Sequence, residues 1–353
     1  MRSRRFALVV GQFPLPLPTP PGEDYFAESA RIMAEAGFEV EILTVRRAGQ
    51  TDCEMLNGVR LRRFASPPRL VRAIASGGFD VLHTHSHFRP ALLTGLVSPR
   101  ARSIFTSHSY ALPGSWWKRC VLVTLMNRFD RVIALTPFER DVYRAAGVHE
   151  SKIVVLPLPV NVAFFATGDG ARFRSRWNIH DKEPLVLFVA NLRPVKNPDV
   201  ATRAIQHVRQ VIPNARLVIL GANLMATDAV RAEGVVFADW QPAEVLCDAL
   251  AAADVVVNSS SHESFSLSTC EAMAARRPVC LPDLPSLRSL IGDNALYHPP
   301  SDADGLATNI LRYLREPELR RAHVEANCRL VERFDTKIVL EQYSALCQSL
   351  LKS

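Results

Sequence analysis

The stretch ADVVVNSSSHESFSLSTCEAMA, residues 253–274, decides the fold of this chain. It joins an apolar, β-branched run, typical of a buried strand, to a short polar loop and then to a helix-like segment. A parallel sheet is built by repeating this unit, and its loops bring polar groups to the N-termini of the helices. Glu263 lies in the loop and Glu271 in the helix. The two carboxylates could therefore hold two ends of one ligand.

The same alternation of strand and helix runs through the whole chain and restarts near residue 166. The first half carries FALVVG, VEILTV, DVLHTH, SIFTSH, RVIAL and KIVVLP, and the second carries PLVLFVA, ARLVILG, VVFA, DVVVN and PVCLP. This pattern predicts two α/β, Rossmann-like, doubly wound domains. We expect them at residues 1–165 and 166–335, facing each other across a cleft, with a C-terminal helix at 336–353 that packs back on the first domain.

Length and composition favour a cytoplasmic protein with two globular domains. The chain has 353 residues, enough for two cores, and seven scattered cysteines without a CxxC pair, which indicates reduced thiols rather than a metal site. It has no apolar run of about 18 residues that could span a membrane. The basic start followed by FALVV is too short for a signal peptide, so we interpret it as a first buried strand.

The positive charge is concentrated in the first half. Residues 1–165 hold 21 Lys/Arg against 13 Asp/Glu, while residues 166–353 hold 21 against 22, so the excess that gives the net charge of +7 lies in the first half. Such a half can attract nucleic acid, anionic lipid or a phosphorylated substrate, or it can simply be a soluble arginine-rich surface.

Polar residues follow the predicted strands in both halves. In the second half, PLVLFVA leads to Asn191, Arg193 and Lys196, and ARLVILG leads to Gly221. Arg offers a planar fork and Lys a point charge, so this pair suits a diphosphate. The amides of ESFSL at the next helix start add an anion site, although serines there also serve as ordinary N-caps.

The two glutamates need a neutral partner, because a carboxylate beside a phosphate site would otherwise repel it. Sugar hydroxyls are such a partner, so Glu263 and Glu271 point to a nucleotide-sugar; alternatively, Glu271 is an ordinary helix-surface residue. Neither half contains the glycine-rich dinucleotide fingerprint or a P-loop. Dehydrogenase and P-loop functions are therefore disfavoured.

At this point the sequence resembles a known family. SSSHESFSLSTCEAMAARRPV, together with NLRPVKNPDVATRAI and LVILGAN, is similar to the C-terminal domain of family 4 glycosyltransferases, which are retaining enzymes of the GT-B fold. The first half resembles their N-terminal domain in FDVLHTHSH, IFTSHS, RVIALTPFERD and KIVVLPLPVNVAFF. The resemblance covers nearly the whole chain.

The resemblance implies a role for each matching residue. Glu263 would bind hydroxyls of the donor sugar and Glu271 those of the ribose, while Arg193 and Lys196 would hold the diphosphate. His108 would lie near the transferred sugar. The remaining donor-binding residues would be Gly22, Ser266, Leu267, Gly221 and Asn191. The family needs no cofactor or metal, and its substrates are a nucleotide-sugar, here a UDP- or GDP-sugar, and a glycan, lipid-linked or other small acceptor.

The sequence departs from the family pattern at several positions. Family members often have Gly-Arg where this chain has Ala190-Asn191, Ser266 stands where glycine is common, and Gly22 lacks a second glycine beside it. The strand-end histidines at 83, 85 and 87 are either a zinc site or ordinary strand-edge residues. A GT-B nucleotide-sugar epimerase and a basic nucleic-acid-binding protein remain the alternative functions.

The segment PGSWWKRCVLVTLMNRF, residues 113–129, adds a prediction about partners. Its tryptophans and basic residues are typical of a helix at an anionic membrane surface, which would make the enzyme peripheral on the inner face of the membrane. Alternatively, Val121, Leu122, Leu125 and Met126 form one face that fills the domain core.

Overall fold

Each half of the chain folds around its own sheet. The structure, a computed structural model, describes residues 4–11, 25–56, 58–85, 97–98, 100–225 and 231–352. Contacts divide the chain into two compact units. The first unit contains the described residues up to Pro157 and those from Lys337 onward, and the second contains Leu158–Thr336.

The strands of the first sheet follow the apolar runs of the first half, in the spatial order β3-β4-β2-β1-β5-β6-β7-β8. Their bounds are β1 (Arg4–Val10), β2 (Phe38–Val45), β3 (Cys53–Leu56), β4 (Val59–Phe64), β5 (Val81–His85), β6 (Arg102–Thr106), β7 (Arg131–Ala134) and β8 (Ile153–Val155). All pairs are parallel except β3 with β4, which is antiparallel. We did not predict this edge hairpin from the sequence.

The second sheet is parallel throughout, in the order β11-β10-β9-β12-β13-β14. Its strands are β9 (Leu185–Val189), β10 (Arg216–Leu220), β11 (Val235–Asp239), β12 (Val255–Val257), β13 (Val279–Pro282) and β14 (Leu296–His298). Both sheets are therefore of the doubly wound type, which confirms the predicted α/β fold class.

Helices separate most of the parallel strands. Those of the first unit are α1 (Tyr25–Glu35), α2 (Pro67–Ser76), α3 (Trp116–Met126) and α4 (Pro137–Ala146). They are followed by α5 (Val162–Phe165), α6 (Gly170–Arg176), α7 (Pro198–Val211), α8 (Ala243–Ala252), α9 (Leu267–Ala274), α10 (Pro285–Ile291), α11 (Ala303–Arg315), α12 (Pro317–Val331) and α13 (Thr336–Leu350). In α13, the residues from Lys337 onward belong to the first unit. Among the described residues, no helix is both long enough and apolar enough to cross a membrane.

Local sequence sets where helices begin and end, as α4 illustrates. Thr136 is the N-cap and accepts a hydrogen bond from the backbone N–H of Glu139, while Pro137 occupies the first turn. The Glu139 carboxylate in turn accepts from the backbone N–H of Leu135. Gly147 ends the helix with a φ of 103°, a left-handed conformation that glycine adopts without strain.

The central strand β9 positions the candidate site. Its residues Val186 to Phe188 are buried, and it pairs with β10 on one side and β12 on the other. The carboxyl ends of these three parallel strands meet at one edge of the sheet. The loops after β9, β10 and β12 therefore open at the same place, where ligands bind in sheets of this type.

Candidate active site

A lysine and a glutamate form an ion pair at the carboxyl edge of the second sheet. Lys196 ends the 3₁₀ turn Pro194–Lys196 after β9, and Glu263 lies in the loop between β12 and α9. The Lys196 Nζ atom is 2.7 Å from Glu263 Oε1. The side chains are 28% and 9% exposed, respectively, so the pair is largely removed from water. An ammonium has three N–H donors, so this contact leaves capacity for another acceptor.

Polar side chains from the same loop hold the Glu263 carboxylate. Asn258 Nδ2 and Ser260 Oγ donate to the same Oε1 atom, at 3.2 and 2.8 Å. The backbone is held as well, since Ser286 Oγ donates to the Glu263 carbonyl oxygen at 2.6 Å. A buried carboxylate is costly unless it is paired and hydrogen-bonded. This network supplies both kinds of partner and fixes the orientation of the side chain.

The backbone around Lys196 is fixed to the loop after β12. Ser259 Oγ donates to the carbonyl oxygens of Lys196 and Asn197, both at 2.9 Å. Asn197 Nδ2 returns a hydrogen bond to the Ser259 carbonyl at 3.1 Å. Asn197 itself is left-handed, with a φ of 46°, which turns the chain sharply into α7. Two loops that are distant in sequence are therefore joined where the ammonium and carboxylate meet.

The start of α9 is built around Ser266. This residue has a φ of 63°, a conformation that explains why glycine would be suitable here. Ser266 does not act as an ordinary N-cap, because its side chain makes no capping hydrogen bond. Ser266 Oγ instead accepts from Asn258 Nδ2 at 3.1 Å and contacts Thr269 Oγ1 at 2.8 Å. Leu267, the first helical residue, is half-buried.

Glu271 is buried inside the structure, with only 3% of the residue exposed. The alternative that it is a helix-surface glutamate is therefore wrong. Burial raises the pKa of the neighbouring Cys270 thiol, and the charges of Glu271 and Glu263 raise it further. Both carboxylates therefore lie within electrostatic reach of one buried thiol.

A small pocket opens between the ends of β9 and β10. It is lined by Val189, Ala190, Asn191, Leu220, Gly221, Trp240, Gln241 and Leu246. Gly221 has a φ of 144°, and a Cβ atom there would lie 2.0 Å from the Ala190 carbonyl oxygen. Only glycine fits this close approach of the two strands. Asn191 Oδ1 accepts from the Ala222 N–H at 2.9 Å and so links the two loops.

Arg193 lies apart from the Lys196–Glu263 network. It is exposed at the N-cap of the 3₁₀ turn, and within the described part of the chain no hydrogen bond joins its guanidinium to Glu263. The structure thus brings Lys196, Glu263 and Ser266 into one network and leaves Arg193 beside it.

His108 belongs to a different cluster, in the first unit. Its Nε2 atom is 2.8 Å from His85 Nδ1, and the two rings stack with centroids 5.1 Å apart. His83 lies beside His85 and contacts the Thr106 and Tyr343 hydroxyls. Burial lowers the pKa values of His83 and His85 well below the ordinary value of 6.5, and the charge of His108 lowers both further. The two side chains are therefore neutral at physiological pH.

Two sequence predictions fall on residues that the structure does not describe. Gly22, predicted to bind the donor, and the histidine at position 87 lie outside the described residues. Within the described ranges, no group of three or more His, Cys, Asp or Glu side chains could hold a metal ion.

Sequence reasoning missed several residues of the site. Asn258 and Ser260 hold Glu263, and Trp240 lines the pocket beside Gly221. Asn258 ends a predicted strand, and Ser260 and Trp240 each follow one within a few residues, so position at a strand end was the available signal. Their contacts depend on loops that only the fold brings together.

Comparison with known proteins agrees with this architecture. The model described as "Glycosyl transferases group 1" matches residues 169–329, and "Glycosyltransferase Family 4" matches residues 22–164. A D-inositol 3-phosphate glycosyltransferase of Nocardia farcinica is 32% identical over 77% of this chain and 71% of its own length. The corresponding protein of Acidothermus cellulolyticus is 27% identical over 84% and 78%.

Solved structures share the fold at lower identity. Sucrose-phosphate synthase from Thermosynechococcus elongatus has a TM-score of 0.82 and 22% identity, with 99% of both chains covered. Anabaena HepE in complex with UDP-glucose has a TM-score of 0.81 and 17% identity, covering 98% of this chain and 99% of that one.

Two doubly wound units, with an ammonium–carboxylate pair at a strand edge and both family models matched, define a glycosyltransferase. The chain belongs to glycosyltransferase family 4. Neither the epimerase nor the nucleic-acid-binding alternative is favoured.

Proposed function

We propose that this glycosyltransferase moves a hexose from a UDP- or GDP-sugar to a glycan or lipid-linked acceptor, with retention of anomeric configuration. The observation that carries the proposal is the contact between Lys196 and Glu263, whose carboxylate accepts hydrogen bonds from Asn258 and Ser260 in the loop after β12. One charged group of each sign at the same point suits a ligand that has a phosphate next to sugar hydroxyls. A nucleotide-sugar is such a ligand, and HepE is described in complex with UDP-glucose.

Lys196 is proposed to stabilise the leaving diphosphate. Negative charge grows on the diphosphate as the glycosidic bond breaks, and a preorganised cation stabilises that charge more in the transition state than in the ground state. The backbone hydrogen bonds from Ser259 keep the ammonium in place before the reaction starts. Arg193, which is exposed next to the turn, is proposed to contact the same diphosphate from the solvent side.

The two glutamates are proposed to bind hydroxyl groups at opposite ends of the donor. Glu263 would accept from the transferred sugar, and Glu271 from the ribose. Each is buried, so a hydrogen bond to it is formed in a low-dielectric environment, where it is strong. Ser266 and Leu267 would offer backbone groups between them at the start of α9.

The pocket between β9 and β10 is proposed to receive another part of the donor. Asn191 and Gly221 line it, and Trp240 adds a planar aromatic surface. In the N-terminal half, His108 is proposed to lie near the transferred sugar and Gly22 to approach the phosphates.

The proposed mechanism needs neither a metal nor another cofactor. Cationic and backbone groups of the protein would neutralise the diphosphate, and the leaving phosphate oxygen would take the acceptor proton during front-face attack. We place the reaction in the cytoplasm, where the free thiols of the seven cysteines would stay reduced.

Calorimetry with a panel of UDP-, GDP-, ADP- and CMP-sugars tests the donor assignment. We expect saturable binding of a UDP- or GDP-sugar in the presence of EDTA, and the first-formed product to keep the donor's anomeric configuration by NMR. Candidate acceptors include D-inositol 3-phosphate, because relatives are named for that compound. A folded protein that binds none of the four donors, or an inverted product, would contradict the proposal.

A further inference from the structure

Helix α3 presents a large apolar surface to solvent. Trp116 is 77% exposed, Trp117 54% and Val121 52%. Trp and Val are usually at least partly buried in proteins, and two adjacent exposed tryptophans are unusual. Contiguous apolar side chains of this kind mark an interaction surface.

The exposed side chains are not a poorly filled core, because the opposite face of α3 is packed. Leu122, Val123 and Met126 are buried in a cluster with Phe105 and Phe129. The core-filling alternative is thus correct for Leu122 and Met126, but Val121 points outward and Leu125 is half-buried. The outward face consists of Trp116, Trp117, Cys120, Val121 and Thr124, which follow helical spacing and carry no charge.

Exposed basic residues lie on α3 and just after it. Lys118, Arg119 and Arg128 are exposed, and Lys118 Nζ lies 5.3 Å from the centre of the Trp117 ring. The sequence from Val81 to Phe129 contains six Lys/Arg and no Asp or Glu. An apolar strip in a stretch of sequence that has cations but no Asp or Glu is complementary to a lipid surface, which has negative headgroups over an apolar interior.

We infer that α3 docks the protein on an anionic lipid bilayer, with Trp116, Trp117 and Val121 at the level of the headgroups. Tryptophan favours this interface because its ring is amphipathic, and Lys118, Arg119 and Arg128 meet lipid phosphates. The inference extends the proposed function, because a lipid-linked acceptor would lie at such a membrane, but the binding itself requires no catalysis.

Flotation with lipid vesicles tests this docking surface independently of the reaction. We expect the protein to float with vesicles of phosphatidylcholine plus phosphatidylglycerol at low salt, to be released as salt rises, and to bind phosphatidylcholine alone weakly. Lys118→Gln with Arg119→Gln should weaken partitioning about thirtyfold, since each cation at an anionic surface contributes about 1 kcal/mol. The matched control, Arg176→Gln with Lys182→Gln, removes the same charge from exposed positions of the second unit and should bind as wild type.

Two tryptophan variants then distinguish insertion from charge attraction alone. Trp116→Ser with Trp117→Ser should weaken partitioning about tenfold, because apolar burial is lost. Trp116→Phe with Trp117→Phe should retain binding but lose quenching of protein fluorescence by brominated lipids, because Trp177 and Trp240 lie elsewhere. Met55→Ser, which removes another side chain that is 64% exposed, controls for lost surface hydrophobicity.

The outcomes separate this inference from the proposed reaction. Binding that is lost in the α3 variants but not in the controls supports docking, whether or not a donor is found. Three results would overturn it: no flotation with anionic vesicles at low salt, equal loss of binding in the control variants, or concentration-dependent self-association through α3 without lipid binding.

Discussion

The two units place very different side chains at equivalent edges of their sheets. In the second unit, the loops after β9 and β12 carry a charged pair, Lys196 and Glu263. The Glu263 carboxylate also accepts hydrogen bonds from Asn258 and Ser260. In the first unit, the ends of β5 and β6 carry a histidine cluster in which His83 and His85 are fully buried. One edge keeps an ion pair inside the protein, and the other buries two neutral histidines.

The comparison shows how the same fold position can be prepared for different ligands. A buried ion pair loses hydration, and its attraction offsets that loss only with further hydrogen bonds, which Asn258 and Ser260 provide to Glu263. Such an arrangement suits a ligand that is itself charged. The neutral histidines of the first unit can donate or accept hydrogen bonds without a net charge, which suits hydroxyl groups. The proposed function assigns the diphosphate and the hydroxyls bound by the two glutamates to the first kind of edge, and it places His108 of the second near the transferred sugar.

The largest effect is expected when Lys196, the cation of the charged edge, is removed. We expect Lys196→Ala to lower kcat by about 10²–10³-fold, the usual loss when one preorganised electrostatic group is removed, with a much smaller rise in the donor KM. Initial rates over a range of donor concentrations measure both. EDTA should leave the wild-type rate unchanged.

Lys182→Ala, which alters an exposed lysine of the same unit, should behave as wild type. A rise in KM with an unchanged kcat would show that Lys196 only binds the donor. Strict dependence on added Mg²⁺ or Mn²⁺ would show that a metal, rather than this lysine, neutralises the diphosphate.

The two glutamates of the charged edge should have different effects on donor binding and on turnover. We expect Glu271→Ala to weaken nucleotide-sugar binding by roughly 1.5–3 kcal/mol, the value of one hydrogen bond to a charged group, while Glu263→Ala mainly lowers kcat. Calorimetry and steady-state kinetics on the same variants separate the two effects. Glu244→Ala replaces an exposed glutamate at the start of α8 and is the matched control. Wild-type kinetics in both folded variants would remove the glutamates from the site.

The strands and their polar ends could be predicted from the sequence because the signals are local. Apolar runs such as LVLFV and VVV became β9 and β12, and the residues after them form the Lys196–Glu263 pair. The hairpin of β3 and β4 was missed although the sequence contains Asn57-Gly58, a dipeptide typical of hairpins.

Contacts between distant segments could not be predicted. The burial of Glu271 depends on what packs around α9, and the contact of His83 with Tyr343 joins the first sheet to α13. The inward face of α3 was partly misassigned, since Val123 rather than Val121 is buried. A helix that is apolar on several sides has no unique face in its sequence, so the surrounding core decides which side it covers.

The smallest effect is expected at the buried histidines His83 and His85, where acid should destabilise the first unit. His83 and His85 have pKa values well below 6.5 because burial disfavours their charged forms. The unfolded chain therefore binds more protons than the folded one below about pH 6.5, so the free energy of unfolding falls as the pH is lowered and is constant above that value. The loss should be about 1 kcal/mol per histidine near pH 6.

Hydrogen exchange in peptides from β5 and β6, compared near pH 7.5 and pH 6 after correction for intrinsic rates, measures the stability of the first unit alone. A double variant, His83→Gln with His85→Gln, should be less stable near pH 7.5 but lose most of the pH dependence, whereas His180→Gln, at an exposed position of the second unit, should leave it intact. If the double variant keeps the wild-type pH dependence, His83 and His85 are not the groups that make the first unit less stable in acid.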